Sequence, residues 1–282
     1  VGFCALNAMS KTGQSRPFHA AADGLVPSEG AGMVVLKRLR DAERDGDQIF
    51  GVIRGIGLSN DGRDKGFLAP SRIGQVRALQ AAYEQSGIDP KSVELIECHA
   101  TGTPVGDATE LQSMSEVFDG ATPIGSLKSN LGHAITVAGA AGLIKVLEAM
   151  RHDTLPPNMP VSELNPVLEN SPFQVLQHPE PWTGVKRAGI SAFGFGGNNA
   201  HLVVEAYRPA EVPAPVPIST EDIAIVGMDV AIGPAMDRMA VHQAIQAGRS
   251  LTGAFSDVVV DLKGIRFPPN DLHKSLLQQT VL

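Results

Sequence analysis

Three short stretches hold the residues best suited to chemistry. In Glu97–Glu110 (ECHATGTPVGDATE), His99 ends an apolar run and a Thr/Gly loop follows it. Reactive groups favour loops at the carboxyl ends of strands. The hydroxyls of Thr101 and Thr103 can bind an amide-rich ligand, and Asp107 and Glu110, in the next turn, can fix the loop. In Lys128–Lys145 (KSNLGHAITVAGAAGLIK), His133 stands just before an Ala/Gly-rich stretch, five residues after Lys128. A nearby ammonium disfavours imidazolium, so Lys128 would hold His133 neutral. A neutral imidazole can donate Nε2–H to an oxygen on which negative charge develops. In Ser191–His201 (SAFGFGGNNAH), a Gly-Phe-Gly-Gly turn exposes backbone N–H groups that can serve as oxyanion donors. Each stretch alone also reads as ordinary structure: a loop capped by Asp107, a helix-entry histidine beside a surface lysine, and a tight hairpin.

Elements that would position these groups follow from pattern. Gly32–Lys37 and residues 49–58 read as strands, and Val93–Cys98 as a strand ending in a polar loop. Ile73, Val76, Leu79, Ala82 and Tyr83 recur at helical spacing within residues 72–86, and Gly87 stops that helix. Ala134–Met150 is expected to be a helix whose small side chains suit burial at the centre of a domain. Arg187–Phe193 and His201–Tyr207 are expected to be strands around the Gly-rich turn. Residues 208–218 (RPAEVPAPVPI) read as a stiff linker, after which Asp222–Gly227 is a fresh strand and Met236–Ala247 a helix. The stretch 254–282 resists assignment.

Taken together, the three stretches resemble the β-ketoacyl synthase family, of thiolase-like fold, in order and spacing. They correspond to its E-A-H-G-T-G-T-x-x-G-D-x-x-E, K-S-N-x-G-H and F-G-F-G-G-T-N-A-H blocks. Upstream, Arg16-Pro17-Phe18-His19, Ala22-Asp23-Gly24 and Glu29-Gly30-Ala31-Gly32 are similar to R-P-F-D, A-D-G and E-G-A-G, so the resemblance covers nearly all of residues 1–206. It implies a partial αβαβα layered α/β fold and decarboxylative condensation of an acyl thioester with malonyl units on acyl carrier protein. By motif, His99 and His133 would be the two histidines of a Cys-His-His centre and Lys128 its tuning residue. Thr101 and Thr103 would contact the carrier's phosphopantetheine arm, with no other cofactor bound. Phe195 would be the gating aromatic, with its N–H in the oxyanion hole.

The family's nucleophilic cysteine precedes the R-P-F block, so it should lie upstream of Val1. Cys4 and Cys98 both read as packed thiols, and this chain alone should not complete condensation. It begins in mid-element without Met and is expected to be a fragment. His19, Ala100 and Asn198 stand where the family has Asp, Gly and Thr. Residues 222–282 resemble the start of a second, chain-length-factor-like ketosynthase domain, with 207–221 as linker. The family implies a dimer or pseudo-dimer of such domains. A non-elongating partner that shapes such a dimer is the other reading, and retention of His99, His133 and Lys128 favours the enzyme.

Composition excludes several classes. The 282 residues carry a net charge of −7, which gives no basic footprint for nucleic acid. Apolar stretches are broken well before the ~18 residues of a membrane span. No secretory leader pattern is visible, and two cysteines cannot form a disulfide framework. A reducing, cytoplasmic setting is the expectation.

Overall fold

The computed structural model describes residues 7–62, 69–194 and 196–209, and beyond these only Met239 and Gln243. The chain divides into two compact units, Val1–Glu211 and Val212–Leu282. The sheet, His99 and His133 belong to the first. The expected linker from residue 210 onward, the strand at 222–227, nearly all of the 236–247 helix and Phe195 lie outside the described residues.

One six-stranded sheet organises the unit. Its strands are β1 (Val52–Asn60), β2 (Leu95–Glu97), β3 (Thr122–Gly125), β5 (Phe173–Val175), β7 (Arg187–Gly194) and β8 (Asn198–Glu205). They lie in the order β1-β8-β7-β2-β3-β5. β1, β8 and β7 pair antiparallel, and β7, β2, β3 and β5 run parallel. A separate antiparallel pair joins β4 (Thr154–Leu155) and β6 (Glu180–Pro181). The helices are α1 (Leu39–Asp45), α2 (Arg72–Ser86), α3 (Pro104–Met114), α4 (Lys128–Leu131) and α5 (Ala138–Arg151).

Pleat alternation sends neighbouring residues to opposite cores. Ile96 and Val203 join Leu79, Tyr83, Leu111, Met114 and Phe118 under α2 and α3. Leu95 and Val204 join Leu143, Val146, Met150 and Trp182 under α5. The unit is therefore a helix–sheet–helix sandwich, with β2 and β7 covered on both faces. The helix over residues 72–86 forms with the bounds its periodicity gave. Ser71 accepts from the Gly74 N–H at its start, and Gly87 closes it at φ +63°. It lies directly on β1, where a Cβ at Gly57 would stand 1.9 Å from the Ala78 carbonyl oxygen. Among the described residues, no helix is long and apolar enough to cross a membrane.

Two expectations need correction. Gly32–Lys37 forms no strand: Met33 and Val35 are 94% and 97% exposed, and no ladder partner meets the segment among the described residues. The expected helix Ala134–Met150 starts only at Ala138, because residues Ile135–Val137 form a 3₁₀ turn with Ile135 at φ +51°. It is buried on one face only, through Gly142, Leu143, Val146, Ala149 and Met150, while Ile144 is exposed.

Candidate active site

β2 delivers its chain to the site, Cys98 N makes a last backbone bond to Gly125 O at 2.8 Å, and the pairing then ends, because the four amides from His99 to Gly102 are taken by side chains. The N–H groups of His99 and Ala100 donate to Glu110 Oε1 and Oε2, each at 2.7 Å. Those of Thr101 and Gly102 donate to Asp107 Oδ1 at 3.0 and 3.2 Å, while Asp107 Oδ2 accepts from Phe18 N at 3.1 Å. Asp107 and Glu110 are one turn apart on α3, so a single helix face grips the whole loop. Gly102 is at φ +78°, and its carbonyl accepts from Gly24 N at 2.9 Å, which docks the loop on the Arg16–Gly24 segment. Both carboxylates are buried. Burial pushes Asp107 up to about 6 and Glu110 up to about 8, against the opposing pull of those amides.

His133 arrives on a second path. Its N–H donates to Val26 O at 2.6 Å and its carbonyl accepts from Ser28 N at 3.0 Å. Gly132 makes that approach possible at φ +75°, since a Cβ there would stand 2.7 Å from Val26 O. The rings of His99 and His133 meet at a centroid distance of 5.4 Å, nearly perpendicular at 84°. Phe193, near the end of β7, lies 6.0 Å from His99. The Nδ1 of His133 is buried and meets no hydrogen-bond partner among the described residues.

Behind the histidines, Lys128 is buried, with Nζ 3.5 Å from the Cys98 carbonyl oxygen. Burial lowers its pKa, and the charges of Glu97 and Glu110 oppose that. His99 is held well below the usual imidazole range by burial first, then by Lys128 and His133. His133 is pushed down to about 4, again by burial first and Lys128 second. Neutral imidazole is thus the resting state of both rings, with the lysine reinforcing an effect that begins with desolvation. Thr101 and Thr103 share a contact between their Oγ1 atoms at 3.0 Å, at the entry to α3.

The structure therefore brings His99, His133 and Lys128 together, with Thr101 and Thr103 on the same loop as His99; Phe195 lies outside the described residues. The turn around it is held by Gly196 and Gly197, at φ +87° and +76°, and Gly197 N donates to Gly194 O at 3.2 Å. Cys98 is wholly buried and burial raises its thiol well above the usual range, which leaves it a packed side chain. Three supporting groups escaped sequence reasoning. Ser126 Oγ donates to Ala100 O at 2.7 Å, and Glu97 and Lys145 pair at 2.7 Å beneath the loop. Glu97 carried the one usable signal, a charge inside the otherwise apolar end of a buried strand.

Comparison with known proteins agrees with this geometry. Residues 50–162 match the β-ketoacyl synthase C-terminal domain, residues 1–42 the β-ketoacyl synthase N-terminal domain, and residues 160–250 the ketoacyl-synthetase C-terminal extension. The last match runs across 207–221 into the stretch expected to open a second domain. The 5-methyl-1-naphthoate synthase of Streptomyces sahachiroi is 44% identical over 220 residues, 74% of this chain and 12% of that protein. Polyketide synthase PksL of Bacillus subtilis is 42% identical over 221 residues, 74% of this chain and 5% of that protein. Among solved structures, the ketosynthase from module 6 of the bacillaene synthase of Bacillus subtilis is 42% identical, with a TM-score of 0.71 over 73% of this chain and 40% of that one. An oxazolomycin ketosynthase domain of Streptomyces albus is 39% identical, with a TM-score of 0.71 over 75% and 39%. The chain thus spans about two-fifths of its solved relatives and a small part of the curated ones. It belongs to the β-ketoacyl synthase family, as the end of the N-terminal domain, the C-terminal domain and the C-terminal extension.

Proposed function

We propose that the intact protein is a ketosynthase of a polyketide or polyunsaturated fatty acid system, joining an enzyme-bound acyl group to malonyl carried by acyl carrier protein. The meeting of two neutral histidine rings over a buried lysine carries this reading. In the expected reaction, the C–C bond to the malonyl carboxylate breaks, carbon dioxide leaves and its electron pair becomes an enolate. Nε2–H groups of His99 and His133 stabilise the enolate oxygen, which a low-dielectric, preorganised site does far better than water. The enolate carbon then attacks the acyl thioester, forming the new C–C bond and releasing the enzyme's thiolate. A buried Cys98 does not suit that thiolate and Cys4 lies outside the described residues; the nucleophile is assigned upstream of Val1 because the family's cysteine precedes the R-P-F block. Thr101 and Thr103 are assigned to the phosphopantetheine arm of the carrier, and the backbone N–H of Phe195 to the oxyanion hole.

Replacing His133 by Ala in the intact synthase tests the reading. Removing one such donor typically costs about 10²–10³-fold in rate. Decarboxylation and elongation of malonyl carrier protein should fall by that factor, and near-normal rates would reject the assignment.

The division into residues 1–206, a linker at 207–221 and a second ketosynthase-like piece at 222–282 is part of the same proposal, as is a dimer of such domains. Limited proteolysis should cut within 208–218, and protection of that stretch would argue against the boundary.

A further inference from the structure

Glu97 is out of character with its surroundings. It is the last residue of β2, two before His99, and is only 4% exposed. Its carboxylate makes two bonds to two different elements. Oε1 accepts from Leu127 N at 2.6 Å, the amide immediately before Lys128. Oε2 accepts from Lys145 Nζ on α5 at 2.7 Å, and that side chain is 14% exposed. The packing leaves space for the carboxylate. A Cβ on Gly142 would stand 3.0 Å from Glu97 Cγ, and one on Gly125 would stand 3.2 Å from Lys145 Nζ. Two glycines thus border this ion pair, one on the helix and one on the neighbouring strand.

The Lys128 turn is tied to its surroundings at several other points: Ser15 Oγ donates to Lys128 O at 2.5 Å, Ser129 Oγ donates to Asn158 Oδ1 at 3.2 Å, and Lys128 Nζ lies 3.5 Å from Cys98 O. Ser126 bonds to the Ala100 carbonyl on one side, and Ser126 N donates to Asn158 Oδ1 at 3.2 Å on the other. The Leu127 N–H reaches β2 itself, the strand that leads into His99. We propose that Glu97 is a positioning residue for the condensing site: through Leu127 it fixes where the Lys128 turn stands relative to His99. Lys145 serves to neutralise the buried carboxylate. The inference rests on the ketosynthase reading for its effect on rate, though not for its effect on structure.

Two double variants of the intact synthase separate positioning from mere ion pairing. Glu97→Gln/Lys145→Met removes both charges and keeps an acceptor for Leu127 N. Glu97→Leu/Lys145→Met removes both charges and the acceptor; both variants take the Glu97 charge from Lys128 equally, so the difference between them reads the acceptor alone. The glutamine variant should retain kcat within about threefold, whereas the leucine variant should lose about 10–100-fold in kcat with KM little changed, as small misplacements of reacting groups do. Backbone amide exchange over residues 126–128 should quicken in the leucine variant and stay slow in the glutamine variant. Equal kcat in the two variants, or unchanged exchange in the leucine variant, would overturn the proposal. Should the leucine variant not fold, the glutamine variant decides alone, and a loss beyond about tenfold in its kcat is the overturning result. If the unaltered synthase neither decarboxylates nor condenses, the functional reading fails, and the exchange measurement still judges Glu97.

Discussion

At the scale of single residues, the unit keeps His99, His133 and His201 neutral by burying them, and this makes its stability depend on pH. His201 shows it most simply. It is fully buried on β8, with Nδ1 3.0 Å from Ser191 Oγ on β7 and Nε2 3.1 Å from Tyr83 Oη on α2, and burial lowers its pKa to about 3. An unfolded histidine titrates near ~6.5. Between those values the unfolded chain binds a proton that the folded chain refuses, so this contribution to stability is lost as pH falls from about 6.5 toward 3. The raised carboxyls work the other way. Glu110, pushed up to about 8, binds a proton in the folded state first and so favours folding as pH falls toward its ordinary range. Comparing variants cancels that opposing trend. His201→Gln should flatten the loss of stability between about pH 6.5 and 4.5 by close to one proton, roughly 1.4 kcal/mol per pH unit. Parallel urea-melt curves for the two proteins across that range would show that His201 is not held neutral. The chemistry of these residues was readable from type and spacing, but the order of causes was not. The five-residue spacing of Lys128 and His133 pointed to charge as the agent, whereas burial, which depends on distant chain segments, acts first on both histidines.

Elements came out as the sequence implied wherever local signals set their ends. α2 has a serine cap, a periodic apolar face and a stop glycine within its own residues, and no distant segment competes with them. The helix after His133 is different. His133 is drawn onto Val26 and Ser28, more than a hundred residues away in the chain, and the backbone needs Gly132 and a strained Ile135 before it can turn into α5. No pattern within 134–150 carries that information. β8 likewise begins at Asn198, three residues earlier than expected, because Asn198 and Asn199 lie opposite Asn60 and Ser59 of β1. Two substitutions test the contrast. Leu79→Ala empties a core position beneath α2 and should cost about 2–5 kcal/mol in urea unfolding with the histidine site otherwise intact. Gly132→Ala should cost about 1–3 kcal/mol for a backbone conformation open essentially only to glycine, yet lower the condensation rate more than Leu79→Ala does, because the Cβ collides with Val26 O and displaces His133. If Gly132→Ala leaves the rate unchanged, the placement of His133 does not depend on this turn.

At the scale of the whole molecule, one apolar surface is out of place. Gly30 and Gly32 lie against the outer face of α5, where a Cβ on Gly32 would stand 3.1 Å from Val137 and 3.5 Å from Ala140. From there the segment continues into Met33, Val34, Val35 and Leu36, all exposed, beside a helix whose own Ile144 is exposed. An extended apolar segment without ladder partners is a surface that soluble proteins cover. The composition that read as a buried strand was sound as to environment, since such a run belongs inside, but the ladder partner is not among the described residues. Residues 1–42 match the synthase N-terminal domain, and solved ketosynthases are about two and a half times as long as the matched part of this chain. On the proposed reading, the rest of that domain is what would cover it. Val35→Asn should therefore change the unfolding free energy of this chain on its own by no more than about 0.5 kcal/mol, as at other exposed positions. In the intact synthase the same substitution should cost at least about 1–3 kcal/mol, the penalty for burying a polar group without a partner. Denaturant unfolding of both proteins, each with and without the substitution, makes the comparison. An equal cost in the two would mean that Val35 is buried within this chain alone, and a negligible cost in both would mean that the segment stays at the surface of the synthase.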